Sequence, residues 1–99
     1  MRVISKKVLE EFIDKHPAAK SSLVTWYRLA SECHADDLTG LRKTFRTVDY
    51  RPSQYYVFDV GGNNFRVVAA IHFNRQMMFV RDVLTHKQYD QWTDADRRK

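Results

Sequence analysis

The sequence contains little cysteine and no long apolar run. Its single cysteine, Cys33, excludes an internal disulfide and is typical of a reducing compartment, so we expect a cytoplasmic protein. No stretch approaches the roughly 18–20 apolar residues of a membrane span. The N-terminal segment MRVISKKVLEEF carries charged residues where a signal peptide needs an apolar segment. We therefore expect a soluble protein without a cleaved leader and without a membrane partner.

Motifs of several common enzyme classes are also absent. The sequence has no G-x-S-x-G and no P-loop, which argues against ordinary hydrolases and nucleotide-binding proteins. The GGNN segment at 61–64 joins two predicted strands and opens no helix, unlike a phosphate-binding loop. The histidines show no zinc-site spacing, either among themselves or with Cys33: His16, His34, His72 and His86. We expect neither a metal ion nor another cofactor.

The composition is that of a small, basic globular protein. The 99 residues are 43% hydrophobic and 29% charged, which fits one domain over residues 1–99 without a linker or repeat. The 17 Lys and Arg residues outnumber the 12 Asp and Glu residues, so the formal net charge is +5. A positive charge favours polyanionic partners through counterion release. Nucleic acid is therefore a candidate partner.

Apolar spacing predicts two helices after a short strand at 2–5. The first helix is predicted by apolar residues at helical spacing, and Pro17 closes it. The second follows the same pattern and runs to about His34. These positions are Val8, Leu9, Phe12 and Ile13 in the first helix, and Leu23, Trp26, Tyr27 and Ala30 in the second. The two helices form a predicted hairpin, and residues 35–54 predict a loop with about one helical turn.

Three segments rich in β-branched and aromatic residues follow, at 55–60, 65–73 and 77–84. The short turns between them predict an antiparallel meander. A short C-terminal helix is predicted from the segment THKQYDQW at 85–92. Helices and strands are segregated along the chain, which predicts an α+β fold with one sheet face on the helices and the other face open.

Two arginines lie within the predicted strands. Alternation along 65–73 places Arg66 opposite the core face, where its guanidinium could bind a phosphate or pair with Asp59 or Asp82. The sheet face on which Arg81 lies depends on the register of the hairpin between the last two strands. A two-residue loop sets it across from Val68, on the face of Arg66, whereas a three-residue loop sets it across from Ala69 on the core face.

The segment THKQYD at 85–90 consists of polar side chains and directly follows the last predicted strand. His86 can exchange protons, Lys87 can hold a phosphate, and Tyr89 can stack or donate a proton. A purely structural interpretation is also open, with Thr85 as a helix cap, Tyr89 and Trp92 packed together and Asp90 paired locally. A second basic cluster is either a solvated loop face or a phosphate-contacting surface: Arg42, Lys43 and Arg46.

The segment YVFDVGGNNFRVVAAIHFNRQMMFVRDVLTHKQYD resembles the HigB toxins of bacterial type II toxin–antitoxin pairs, within the RelE superfamily. The resemblance is strongest over residues 55–90. Two pieces carry it: GGNxxR entering one strand, and THKxYD following the next strand.

The resemblance implies a RelE-like α+β endoribonuclease that cleaves messenger RNA in the decoding site of the 30S ribosomal subunit. A helix-turn-helix antitoxin, HigA, would silence the toxin and bring it to operator DNA. The implied catalytic residues are Arg66, Arg81, His86 and Tyr89, and no metal is required. Lys87 would hold a flanking phosphate, and the basic cluster Arg42, Lys43 and Arg46 would contact RNA.

Two other functions compete with this one. The first is a RelE-like module that binds RNA and the antitoxin without catalysis. Such a module would lose its function only through substitutions that weaken its binding. An enzyme would lose its toxicity on substitution of His86 or Arg66 while still binding the antitoxin. The second, a DNA-binding domain, is disfavoured because no helix-turn-helix with a polar recognition helix is evident.

Overall fold

A computed structural model describes residues 1–51, 55–62 and 64–97. The strands are β1 (Arg2–Ile4), β2 (Asp49–Arg51), β3 (Tyr55–Val60), β4 (Phe65–His72) and β5 (Met77–Thr85). The helices are α1 (Lys6–Lys15), α2 (Lys20–Glu32), α3 (Leu38–Thr44) and α4 (His86–Arg97). The α+β class, the two-helix hairpin and the antiparallel meander are confirmed. None of the described helices is long and apolar enough to cross a membrane.

The helical hairpin forms where apolar spacing predicted it. Leu9 and Phe12 of α1 are buried, as are Leu23, Trp26 and Ala30 of α2. A short 3-10 turn at Pro17–Ala19 separates the two helices, since proline cannot continue α1. Both helices therefore present one apolar stripe to the sheet.

The prediction of a loop with about one helical turn over 35–54 was right about a helical segment but wrong about the rest of 35–51, which includes an edge strand; residues 52–54 lie outside the described residues. Asp37 caps the N-terminus of α3, because its carboxylate accepts a hydrogen bond from the Gly40 N–H at 2.8 Å. Leu41 in the same helix is fully buried. The edge strand β2 pairs antiparallel with β3 through Arg51 and Tyr55. A seven-residue helix and a three-residue strand are too short for a periodic signal, so packing decides both.

The sheet has five strands in the order β1-β5-β4-β3-β2. The meander β3-β4-β5 is antiparallel, and β1 lies parallel beside β5, which makes the sheet mixed. Asp59 on β3 lies directly across from Arg66 on β4. The register of the meander therefore places these two side chains on the same face.

Neither predicted length of the hairpin loop was right, although Ala69 pairs with Val80 as the two-residue loop implied. His72 pairs with Met77, so the hairpin loop contains four residues, and Gln76 closes it in the left-handed conformation with φ 52°. Ala69 then pairs with Val80 and Val68 with Asp82, which leaves Arg81 as the extra, exposed residue of a β-bulge. The bulge shifts the register by one residue, an event that alternation alone does not reveal.

The prediction that the second sheet face is open was wrong. Phe58, Val67 and Met78 lie in the core beneath the helices. On the other face, Val57 and Val68 are only 3% and 1% exposed, although they lie outside that core cluster. Helix α4 packs against β4 and β5 on this side of the sheet. The C-terminal helix therefore covers part of the face that carries Arg66.

Candidate active site

The segment THKQYD begins α4 with a reciprocal cap. The Thr85 hydroxyl accepts a hydrogen bond from the Gln88 N–H at 3.2 Å, and the Gln88 side chain accepts one from the Thr85 N–H at 2.9 Å. This is a capping box, which satisfies two backbone donors at the helix start. The His86 N–H also donates to the Asn64 carbonyl at 3.0 Å. These bonds fix the first turn of α4 beside the start of β4.

Arg66 lies at the centre of the site. It is only 7% exposed, and it is the one buried polar residue in the part of the chain that the structure describes. Its Nε lies 2.9 Å from the Asp59 carboxylate, and Nη1 donates to the Phe65 carbonyl at 3.1 Å. A buried guanidinium needs such a paired carboxylate. The sequence interpretation of Asp59 as an ion-pair partner of Arg66 is therefore confirmed.

His86 lies between a guanidinium and a carboxylate. Its Nδ1 is 3.3 Å from Arg66 Nη2, and its Nε2 is 3.5 Å from an Asp90 oxygen. Because a guanidinium only donates hydrogen bonds, we assign Nδ1 as the unprotonated acceptor. The proton of the neutral ring is then on Nε2, facing Asp90. This tautomer leaves Nδ1 chemically able to take up a proton.

Tyr89 packs over the same guanidinium. Its ring centroid is 5.4 Å from Arg66 Cζ, within the range of a cation–π contact. Its hydroxyl oxygen accepts a hydrogen bond from Arg51 Nε at 3.1 Å. Trp92 stacks on Tyr89 at 5.8 Å and meets Tyr55 of β3 at 6.2 Å, both measured between ring centroids. These contacts hold α4 against the second sheet face.

The structure brings Arg66, His86 and Tyr89 together, but it leaves Arg81 apart from them. Arg81 is exposed in the bulge of β5, and none of the described contacts joins it to the other three. Lys87 is exposed in the first turn of α4, beside His86.

The basic cluster Arg42, Lys43 and Arg46 lies at the end of α3. Arg42 has a structural role there, because its Nε donates to the Val48 carbonyl at 3.1 Å and its Nη2 lies 3.9 Å from Asp49. Lys43 and Arg46 are exposed. All three side chains reach solvent, but only Arg42 is also tied to the backbone of Val48 and to Asp49.

Sequence reasoning missed Arg51 entirely. It lies in the segment predicted as a loop, and 38 residues separate it from Tyr89. No local pattern links the two positions. The prediction that Asp90 pairs locally is confirmed, because its carboxylate lies 3.5 Å from Nε2 of His86, four residues earlier. Alternation along β3 could have placed Asp59 on the face of Arg66, since both residues lie opposite the core face.

Over residues 1–51, 55–62 and 64–97, no three His, Cys, Asp or Glu side chains converge as metal ligands. The polar groups at the site are two guanidiniums, an imidazole, a phenol and carboxylates. Such groups can bind a phosphate and move protons.

The family model described as HigB_toxin, the RelE-like toxic component of a toxin–antitoxin system, matches residues 19–92. The chain belongs to the HigB toxin family. The HigB match includes every residue of the site described above, from Arg51 to Asp90.

Individual HigB proteins extend the similarity to the whole chain. The mRNA interferase toxin HigB of Escherichia coli (strain K12) is 35% identical over 101 residues, covering 100% of this chain and 97% of that protein. The mRNA interferase HigB of Shigella flexneri gives the same values. The mRNA interferase HigB of Escherichia coli O6:H1 is 38% identical over 96 residues, covering 94% of this chain and 92% of that protein.

Proposed function

We propose that this HigB-family chain is a ribosome-associated endoribonuclease that cleaves mRNA and thereby inhibits translation. The full-length similarity to proteins named mRNA interferase supports the activity. The observation that carries the mechanism is the convergence of Arg66, His86 and Tyr89 within direct contact distance. These are a charge stabiliser and two proton-transfer groups, which is the equipment that RNA cleavage requires.

The proposed reaction uses the 2′-hydroxyl of the substrate as the nucleophile. His86 Nδ1 takes the proton of this hydroxyl while the 2′-oxygen attacks the adjacent phosphorus. Arg66 stabilises the additional negative charge that develops on the phosphate oxygens. The bond from phosphorus to the 5′-oxygen then breaks, and Tyr89 protonates the departing oxygen. The products are a 2′,3′-cyclic phosphate and a 5′-hydroxyl end, and the sequence of steps uses no metal ion.

The hydrogen bonds support this assignment of base and acid. His86 Nδ1 faces a group that only donates, so we take it as the nitrogen that lacks a proton. The Tyr89 hydroxyl oxygen accepts from Arg51, and a phenol O–H is also a donor, so it can supply a proton to the substrate. We therefore propose His86 as the base and Tyr89 as the acid.

One phosphate can engage both Arg66 and His86. Their facing nitrogens are 3.3 Å apart, so a phosphodiester that reaches one of them also meets the other. Arg66 is also largely withdrawn from solvent, and charges interact more strongly in such a position than in water. Substrate binding therefore has to open the contact between Arg66 and His86 without breaking the pair between Arg66 and Asp59.

Further basic residues are proposed to bind the RNA around the scissile bond. Lys87 follows His86 and would hold a flanking phosphate. Arg81 lies in the bulge of β5, the strand next to the one that carries Arg66, and its exposed side chain would add positive charge for the RNA. Lys43 and Arg46, with Arg42, would contact ribosomal RNA farther from the reaction.

The proposed partners follow from the family. A toxic component of a toxin–antitoxin system requires an antitoxin. We propose a HigA-like helix-turn-helix protein in this role, through which the toxin would reach operator DNA. The ribosome would present the mRNA in the decoding site of its 30S subunit, and the protein would act in the cytoplasm.

The test is to map new RNA 5′ ends in bacterial cells that express the wild-type protein, His86→Ala or the control His34→Ala. His34 is an exposed histidine between α2 and α3, outside the site. We expect new ends inside coding regions with wild type and control, and a loss of about 10²-fold or more with His86→Ala. Blocking translation should remove the new ends. Growth arrest by wild type without any new ends would instead favour the binding module without catalysis.

A further inference from the structure

Arg51 contacts Tyr89, the proposed acid. Its Nε donates a hydrogen bond to the Tyr89 hydroxyl oxygen at 3.1 Å, across the 38 residues that separate them in the chain. We propose that Arg51 is a positioning residue that orients the Tyr89 hydroxyl and stabilises the phenolate formed when Tyr89 protonates the leaving 5′-oxygen. This proposal rests on the proposed function, because it assigns Tyr89 as the acid.

The contact controls the direction of the Tyr89 proton. A guanidinium has no acceptor, so the hydroxyl hydrogen of Tyr89 cannot point toward Arg51. The hydroxyl oxygen can accept from Arg51 and still donate its hydrogen elsewhere. The ring itself is held by Arg66 on one side and by stacking on Trp92. With the ring and one lone pair fixed, the Tyr89 proton is directed away from Arg51.

The charge of Arg51 becomes more useful as the reaction proceeds. When the bond between phosphorus and the 5′-oxygen breaks, its electron pair stays on that oxygen, which takes the Tyr89 proton. Tyr89 is left as a phenolate, and its negative oxygen then faces a permanently charged guanidinium. Solvent water later returns a proton to Tyr89, and His86 gives its extra proton to solvent. Arg51 therefore interacts more strongly with the transition state than with the resting enzyme.

The pairing of β2 with β3 sets the position of the Arg51 backbone. The residue ends β2, and its pairing with Tyr55 fixes β2 on β3. Tyr55 in turn contacts Trp92 of α4. The paired strands β2 and β3 therefore hold Arg51 in place and also supply Tyr55, which contacts the helix that carries Tyr89. Removing a preorganised donor of this kind typically reduces the rate of the chemical step by about 10²–10³-fold.

A purely anchoring role for Arg51 predicts a different result from an acid-assisting role. We would therefore compare two RNA substrates on programmed ribosomes, identical except that one carries sulfur in place of the 5′-oxygen at the mapped cleavage site. A thiolate leaves without being protonated, so this substrate does not need an acid. The proteins to compare are wild type, Arg51→Gln, Arg51→Lys, Tyr89→Phe, and Arg51→Gln combined with Tyr89→Phe. Arg28→Gln, an exposed arginine on α2, is the control with the same change of charge.

On ordinary RNA we expect Arg51→Gln to cleave about 10²-fold more slowly under saturating conditions, and Tyr89→Phe at least as slowly. The double variant should be no slower than Tyr89→Phe, because Arg51 acts through that hydroxyl. Arg51→Lys should retain part of the rate, since it keeps a positive charge. On the sulfur substrate, all of these variants should come within a few-fold of wild type. Arg28→Gln should match wild type on both substrates.

Three results would overturn the proposal in distinguishable ways. If Tyr89→Phe cleaves the sulfur substrate at nearly the wild-type rate but Arg51→Gln remains slow on it, Arg51 binds RNA or maintains the fold and does not act through Tyr89. If Tyr89→Phe does not recover while wild type cleaves both substrates, Tyr89 is not the acid, although the ribonuclease function stands. If wild type cleaves neither substrate, the proposed function itself fails. If thermal melting shows that Arg51→Gln is unfolded, the cleavage rates of Arg51→Lys on the two substrates are compared instead. A slow rate on ordinary RNA that recovers on the sulfur substrate supports the proposal, and a slow rate on both substrates contradicts it.

Discussion

The ion pair between Arg66 and Asp59 provides a prediction about stability. The Arg66 side chain is 9% exposed, and its Nε lies 2.9 Å from the carboxylate of Asp59. Replacing Asp59 with alanine would leave a buried positive charge without its partner. Such a loss is much more costly than the loss of an exposed ion pair, because the guanidinium stays desolvated. We therefore expect Asp59→Ala to destabilise the protein.

The geometry sets the size of this effect. Removing one partner of a fully buried pair costs about 3–5 kcal/mol, and a hydrogen bond to a charged group contributes about 1.5–3 kcal/mol. The Asp59 side chain is 29% exposed, and Arg66 keeps its contacts with Phe65 and His86. We therefore expect a loss of about 2 kcal/mol, which lowers the melting temperature of a domain of this size by about 8–16 °C. Asp59→Asn keeps an acceptor and should lose about half as much.

Urea unfolding followed by circular dichroism would measure these differences. Asp36→Ala is the matched control, since its side chain is 88% exposed, and we expect a change below about 0.5 kcal/mol. A double-mutant cycle with Arg66→Met isolates the pair itself. The reasoning is refuted if Asp59→Ala is no more destabilising than Asp36→Ala, or if the cycle gives no coupling between the two positions.

Three further predictions concern the helix cap, pH and RNA binding. Thr85→Ala removes the capping hydroxyl and should cost about 1 kcal/mol in urea unfolding, whereas Thr85→Ser should be nearly neutral; equal losses would contradict the capping role. Desolvation raises the pKa of Asp82 above 3.8, so its contribution to stability is lost as pH rises through the folded-state pKa. Asp82→Asn should therefore raise the melting temperature at neutral pH but not below pH 3.8, and no difference at neutral pH would refute this. Lys43→Gln with Arg46→Gln should reduce the salt slope of binding to single-stranded RNA by about 1.4, and an unchanged slope would remove both residues from the RNA surface.

Local patterns predicted the parts of the site that lie on long, regular strands. The alternation of apolar and polar residues along 65–73 placed Arg66 opposite the core, because successive side chains of a strand point to opposite faces. Arg66 lies there, beside Asp59. The polar segment THKQYD was predicted to begin a helix, and the capping bonds of Thr85 and Gln88 lie where that helix begins.

Arg81 shows where this reasoning stops. Its environment depends on both the length of a hairpin loop and a bulge at Val68 and Ala69. The bulge changes the register by one residue, and a change of one residue moves a side chain from one face to the other. Neither feature leaves a signal in the apolar pattern of β5. The same limit applies to α3, whose seven residues span too few turns to show periodicity.

The types and order of the main helices and strands can be read from the residues alone, because helical and strand periods are properties of consecutive residues. The positive charge and the motifs that resemble HigB toxins are likewise visible without a structure. The parallel pairing of β1 with β5, the packing of α4 on the second sheet face and the contact between Arg51 and Tyr89 appear only once the chain is folded. These arrangements join distant segments, so they depend on the packing of the whole domain and not on the preference of any one segment.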